Sequence, residues 1–217
     1  IVLPPTYGMY QVAADISNVK VVEVPLNIEF QPDVASILNS IKPNTKLLFL
    51  CSPNNPTGNS FEVSAMLTLL KAFKGIVVID EAYIDFSAQP SCIQWLANYP
   101  NLVILQTFSK AWGLAAIRLG MAFSNPFIIS LFNKVKPPYN VNQLTQAAAL
   151  RALNNRKQTV AWIQMLLAER LKLEEQLRLL PFVLKLFPSD ANFILVKVKA
   201  PHDLYQHLVE NKIIVRN

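Results

Sequence analysis

Three short apolar runs in this chain end in the same way, and that ending constrains the fold more than any other feature. Leu47–Cys51 (LLFLC) runs into SPNNPTG, Ile76–Ile79 (IVVI) into DEAYID, and Leu102–Gln106 (LVILQ) into TFSK. Each run has the length and β-branched or leucine-rich content of a buried strand. Between the first two, Glu62–Phe73 carries Val63, Met66, Leu67 and Leu70 near a 3.6-residue period and reads as a helix. Gly75 follows and is expected to stop it. Strands alternating with helices predict a mainly parallel sheet covered on both faces, a three-layer α/β/α arrangement. In such sheets ligands bind outside the carboxyl ends of the strands, so all three polar clusters are expected along one edge.

Further strands are expected at Val19–Val24 and Leu119–Phe123, and helices at Phe127–Val135, Asn142–Leu153 and Thr159–Leu180. Pro137 and Pro138 stop the first of these helices. The long one carries Glu169, Lys172 and Glu175 on its outer side. Beyond Pro181 the pattern changes to strands at Phe182–Phe187 and Phe193–Val198, a helix from His202 to Glu210, and a last strand from Ile213. A domain boundary therefore falls near Asn140–Arg156. Residues 1–145 form a major domain, and residues 146–217 a linking helix and a small α+β domain.

Composition narrows the function. Hydrophobic residues make up 52% and charged residues 16% of the 217, which describes a core-rich globular chain. No apolar run reaches the roughly 18 residues of a membrane span, and no secretory signal opens the chain. Cys51 and Cys92 lack metal or disulfide spacing, which makes a reduced, cytoplasmic setting the default. His202 and His207 have no neighbouring ligands, so no metal site is expected. The net charge of +6 comes from scattered basic residues, which argues against nucleic acid and leaves room for an anionic small ligand.

The clusters themselves suggest chemistry. Asp80 closes a buried strand, where an ionised carboxylate needs a cation or several hydrogen bonds. It serves either as a salt bridge or cap, or as the partner of a cofactor's protonated ring nitrogen. Asn55 in the Asn-Pro-Thr-Gly turn presents both a donor and an acceptor. Lys110 is either ordinary loop charge or an amine waiting for a carbonyl. Thr107, Ser109 and Arg118 around it make a phosphate cradle, with Arg118 giving a bidentate charged contact. Cationic neighbours and partial desolvation would then activate the amine.

The ordered set Asn-Pro-Thr-Gly, Asp-Glu-Ala-Tyr, Ser-Lys and Arg-Leu-Gly resembles the fold-type I pyridoxal phosphate aminotransferases. With PTYGMY at Pro5–Tyr10 and TFSKAWGLAAIRLG at Thr107–Gly120, the chain more narrowly resembles histidinol-phosphate aminotransferases along its whole length. The resemblance implies pyridoxal 5′-phosphate as cofactor, with Lys110 binding its aldehyde and shuttling the substrate proton. It further implies Asp80 on the ring nitrogen, Asn55 and Tyr83 on the ring's 3-oxygen, Tyr7 stacked on the ring face, and Thr107, Ser109 and Arg118 on the phosphate. The implied reaction is transamination between L-histidinol phosphate and 2-oxoglutarate, in a homodimer. Other aminotransferases and threonine-phosphate decarboxylase-like enzymes share the broader motifs. An effector-binding module of a regulator and a non-catalytic fragment are the readings outside enzymes. Both ends begin or stop in apolar triplets, so the chain is expected to be cut. An N-terminal region and a carboxylate-binding arginine beyond Asn217 are expected to be missing.

Overall fold

The structure, a computed structural model, describes residues 1–216. At its centre lies a sheet in the order β1 (Leu47–Cys51), β2 (Ile76–Asp80), β3 (Leu102–Thr107) and β4 (Gly120–Ser124). β1, β2 and β3 are parallel, and β4 returns antiparallel to β3. The period-2 alternation of a strand splits the apolar runs between two faces. Leu48, Leu50, Val77, Ile79, Leu102 and Ile104 are buried on one, against Phe61 and the Met66, Leu69 and Leu70 side chains of α3 (Val63–Ala72). Val78 and Val103 pack on the other against Ile128 of α4 (Pro126–Val135), with Phe49 and Leu105 beside them. The result is the expected three-layer α/β architecture.

The sheet continues past β1 through single segments. Ile1–Leu3 lies beside β1, through Phe49 N–H donating to Ile1 O at 3.0 Å. Val24 N–H then donates to Val2 O, also at 3.0 Å. The strand expected at Val19–Val24 is thus reduced to one parallel bridge, Val2 with Glu23. Pro4, Pro5 and Pro25 explain why, since none has an N–H to carry the ladder further. Two helices escape the sequence pattern, α1 (Met9–Ile16) and α2 (Val34–Asn39). α1 carries Met9, Val12, Ala13 and Ile16 at helical spacing, but over eight residues the pattern is short, and only Tyr10 of the helix is buried. α2 is too short to show a period and rests on Asp33, whose carboxylate accepts from Ser36 N–H at 3.1 Å.

Two of the remaining helices start on side-chain caps. Asn125 accepts from Ile128 N–H ahead of α4, and Asn142 from Thr145 N–H ahead of α5 (Gln143–Asn154). α6 (Arg156–Arg178) follows, then a separate antiparallel pair, β5 (Val183–Leu186) with β6 (Val196–Val198), and α7 (Pro201–Glu210). The expected strand from Ile213 does not form over Ile213–Arg216, where Lys212 turns the chain at φ 62°, Ile213 N–H returns to Leu208 O at 2.8 Å, and Ile213–Val215 lie exposed with no strand partner among the described residues. Asn217 lies outside the described residues. No described helix is long and apolar enough to cross a membrane.

Gly75 has a different task from the one expected. α3 already ends at Ala72, with Phe73 extended at φ −79° and ψ 123°. A Cβ on Gly75 would stand 2.4 Å from Lys46 O and 2.7 Å from the Phe73 ring. The glycine therefore permits a close approach of β1 and β2 at their starts. Gly75→Ala is expected to lower stability by about 1–3 kcal/mol. A fall in the urea midpoint at unchanged m-value would show it, and an unchanged midpoint would refute the close-approach account.

Candidate active site

The parallel register sets Cys51 opposite Asp80 and Asp80 opposite Leu105, so the three polar clusters leave the sheet side by side. β4 begins where β3 ends, Gly120 pairing with Thr107, which carries Arg118 back to the same edge. There the chain encloses a cavity of about 230 Å³. It is lined by all eight residues singled out in the sequence: Tyr7, Asn55, Asp80, Tyr83, Thr107, Ser109, Lys110 and Arg118. Cys51 and Ala82 complete the wall. A larger groove of about 530 Å³ runs between α1 and Val19–Val22, with Lys20, Lys42 and Lys46 but no carboxylate on its walls. Opposed acidic and basic groups are found in the smaller cavity.

Asp80 has no salt-bridge partner among the described residues. Its Oδ2 accepts from the Tyr10 hydroxyl at 2.7 Å and its Oδ1 from Ala82 N–H at 3.1 Å. Burial pushes its carboxyl above the ordinary range, against the pull of those two hydrogen bonds. Tyr10 itself is buried, stacked on Phe49 at 4.8 Å and edge-on to Tyr7 at 5.6 Å. Burial, then the charge of Asp80, pushes the Cys51 thiol up to about 12, which leaves it a neutral wall and not a nucleophile.

Also at the cavity, Lys110 Nζ lies 5.0 Å from the centre of the Tyr83 ring. Asn55 Nδ2 donates to Tyr83 Oη at 3.4 Å. The lysine is exposed, contrary to the partial desolvation expected for it. Thr107 also differs from expectation. Its hydroxyl donates to Leu119 O at 3.2 Å and accepts from Ser109 N–H at 3.0 Å, so it braces the loop that presents Ser109 and Lys110. Arg118 sits in the left-handed region at φ 52°, unusual for a side chain with a Cβ. Its Nη1 donates to Ala115 O at 3.0 Å.

The chain matches the family model for aminotransferase class I and II over residues 1–217. It belongs to that family. It is 51% identical over 217 residues to a histidinol-phosphate aminotransferase of Cytophaga hutchinsonii, an alignment covering all of this chain and 62% of that protein. The solved histidinol-phosphate aminotransferase of Clostridium acetobutylicum superposes at a TM-score of 0.90 with 26% identity, covering 99% of this chain and 66% of that one. A Sinorhizobium meliloti histidinol-phosphate aminotransferase, solved with pyridoxal-5′-phosphate, shares the fold at a TM-score of 0.87 and 23% identity, with 100% and 61% covered. The chain thus spans a little over three-fifths of the length of the curated relatives it matches.

Sequence reasoning about this aminotransferase chain missed several groups that hold the cavity. Tyr10 follows Tyr7 by three residues in the PTYGMY motif, and that proximity is the signal that could have found it. Glu81 is fully buried, accepting from Ser91 Oγ at 2.6 Å, Cys92 N–H at 2.6 Å and Gln106 Nε2 at 2.9 Å. Residues far along the chain also close in: Phe193 packs edge-on against Tyr83 at 5.2 Å, and Asp190 Oδ2 accepts from Ser60 N–H at 3.0 Å. No local pattern announces contacts across more than 100 residues.

Asp80 yields a stability prediction. Its folded carboxyl titrates above its unfolded value, so the folded state keeps a proton that the unfolded state releases. Stability from this group is full below the ordinary value of 3.8 and is lost as pH rises through the folded value. Asp80→Asn, neutral at every pH, is expected to melt higher than the parent at pH 7. The difference should shrink as pH falls through the raised folded value and be gone below 3.8. An Asn variant that melts lower at pH 7 would refute the desolvation account.

Proposed function

We propose that the protein bearing this chain is a pyridoxal 5′-phosphate-dependent aminotransferase that exchanges the amino group of L-histidinol phosphate with 2-oxoglutarate. The observation that carries the reading is one cavity lined by both Lys110 and Asp80, with Ser109 and Arg118 from the loop between β3 and β4. The fit to the cofactor rests on Asp80. A carboxylate pushed up by burial, anchored by two hydrogen bonds and without a cation of its own, suits a ligand that brings a protonated ring nitrogen. Similarity to histidinol-phosphate aminotransferases at about half identity supports the choice of substrate.

Bound pyridoxal phosphate supplies an aldehyde for an amine and a ring that draws electron density from the substrate carbon bearing the amino group. Lys110 would hold the aldehyde through its amine, and the same amine is placed to take and return the substrate Cα proton. Asp80 keeps the ring nitrogen protonated, and Tyr10 holds the Asp80 carboxylate in place. Asn55 and Tyr83, already in contact with each other, donate to the ring's 3-oxygen. Tyr7 covers the ring face. Ser109 and Arg118 hold the phosphate, and Thr107 adds its hydroxyl only by leaving Leu119 O.

The same reading divides the chain at 145/146, into a cofactor-binding domain and a small domain carried by α6. It makes the working protein a homodimer in the cytoplasm. The exposed apolar side chains of α4, α5 and α6, among them Phe127 at 70%, Leu144 at 84% and Met165 at 62%, give a second copy an apolar face to cover. Both cysteines are free and buried, as suits a reducing compartment.

Pyridoxal phosphate titration followed by borohydride reduction tests the assignment. A stable mass increase is expected on the peptide bearing Lys110, and none on that site in Lys110→Ala. Loss of the lysine is expected to lower transamination of L-histidinol phosphate by on the order of 10²–10⁴-fold or more. Equal labelling of parent and variant would remove Lys110 from its role. A marked preference for another amino donor would overturn the substrate.

A further inference from the structure

Asn54, one residue before the Asn55 assigned to the cofactor, is the most completely enclosed polar side chain near the cavity, with none of its surface exposed. It does not line the cavity. Its Nδ2 donates to Pro5 O at 2.9 Å and to Thr57 Oγ1 at 2.7 Å, and its Oδ1 accepts from Thr6 Oγ1 at 3.0 Å. Its backbone N–H donates to Asn59 O at 2.8 Å, and its carbonyl accepts from Gly58 N–H at 2.7 Å. The amide thus uses both of its donors and one acceptor lone pair, and they divide between two separate loops.

One loop is the turn Pro4–Tyr7, which presents Tyr7 to the cavity. The other is the Asn-Pro-Thr-Gly loop, which presents Asn55. Neither is built on a regular element at these residues, and they lie 48 or more positions apart in sequence. Thr57 extends the network to Asn59 Oδ1 at 2.6 Å, and Asn59 Nδ2 donates on to Phe30 O at 3.0 Å. Buried networks of this kind hold one geometry because breaking any member leaves a desolvated group unpaired.

We propose that Asn54 is a positioning residue: it fastens the Tyr7 turn to the Asn55 loop and so sets the distance between two walls of the cofactor cavity. The proposal rests on the reading of that cavity as a pyridoxal phosphate site. A side chain that only stabilised the fold would act on the sheet as a whole. One that positions two loops would act on them and on the ligand between them.

The test uses Asn54→Asp, which keeps the acceptor for Thr6 and sets an oxygen against Pro5 O. Thr6→Ala removes one bond from a half-buried site and serves if the first variant fails to fold, and Thr6→Ser serves as the rescue. Hydrogen exchange of the cofactor-free protein is expected to speed up in residues 5–10 and 53–60 and to stay unchanged in β1–β3. The pyridoxal phosphate dissociation constant is expected to rise about tenfold in Asn54→Asp and less in Thr6→Ala, with Thr6→Ser at the parental value. The pH midpoint of the bound cofactor's visible band should move with it, because Asn55 is no longer held against the ring's 3-oxygen. Exchange rising evenly through β1–β3 would overturn the proposal. So would loosened loops with cofactor affinity and midpoint within twofold of the parent. A parent that takes up no pyridoxal phosphate overturns instead the reading beneath it. That result is distinct from variants that bind as well as a competent parent.

Discussion

The cavity depends first on strand register. Cys51, Asp80 and Leu105 stand in line across β1, β2 and β3, and the loops beyond them therefore emerge at one level. Slipping any of these strands by one residue would exchange its two faces, setting Val78 where Ile79 packs. Both faces are apolar, so alternation alone does not forbid the slip. Shape does: one face meets the Met66–Leu70 side of α3, and the other the smaller contact made by Ile128. Packing of the two layers is thus what puts a carboxylate at the mouth of the sheet, and the chemistry follows from it.

Holding polar groups at that mouth requires partners, and the chain supplies them from outside the strands. Asp80 is held by Tyr10, Glu81 by Ser91, Cys92 and Gln106, and Asn54 by Pro5, Thr6 and Thr57. Asp80 and Glu81 are adjacent, yet they are treated differently. Glu81 is enclosed by three donors and has no further surface to offer. Asp80 has two donors and remains at the cavity wall, with burial raising its affinity for a proton. The difference between the two acids is here a matter of which bonds are left over. Keeping Asp80 in this state weakens the empty fold, a cost that a cationic ligand would offset.

Much of this arrangement was legible in the sequence, for reasons that can be stated. The core strands were readable because LLFLC, IVVI and LVILQ are continuous apolar runs of strand length. The helices of the outer layers were readable where apolar positions recur and where Pro137 and Pro138 stop one of them. The eight cavity residues were readable because each lies within a few positions of a strand end, so topology alone gathers them. α1 was not, since it buries one side chain, and neither was the true task of Gly75, which depends on how close Lys46 comes from another strand. Asp190 and Phe193 were invisible for the same reason: their partners Ser60 and Tyr83 are more than 100 residues away.

Those two distant contacts bear on how the site works as a unit. Asp190 N–H donates to Gly58 O at 2.7 Å while its carboxylate accepts from Ser60, so the segment before β6 grips the Asn-Pro-Thr-Gly loop from both sides. Gly58, at φ 85°, also leaves room for Ser189, whose Oγ would lie 3.0 Å from a Cβ there. Phe193 meanwhile presses on the ring that lies beneath the Lys110 amine. The last third of the chain therefore fixes Asn55 and Tyr83 without lining the cavity itself. A displacement of the β5–β6 pair would reach both residues together, through a glycine turn and an aromatic edge. The geometry around the lysine is thus a property of the whole chain, even though every group that faces it comes from the first 118 residues.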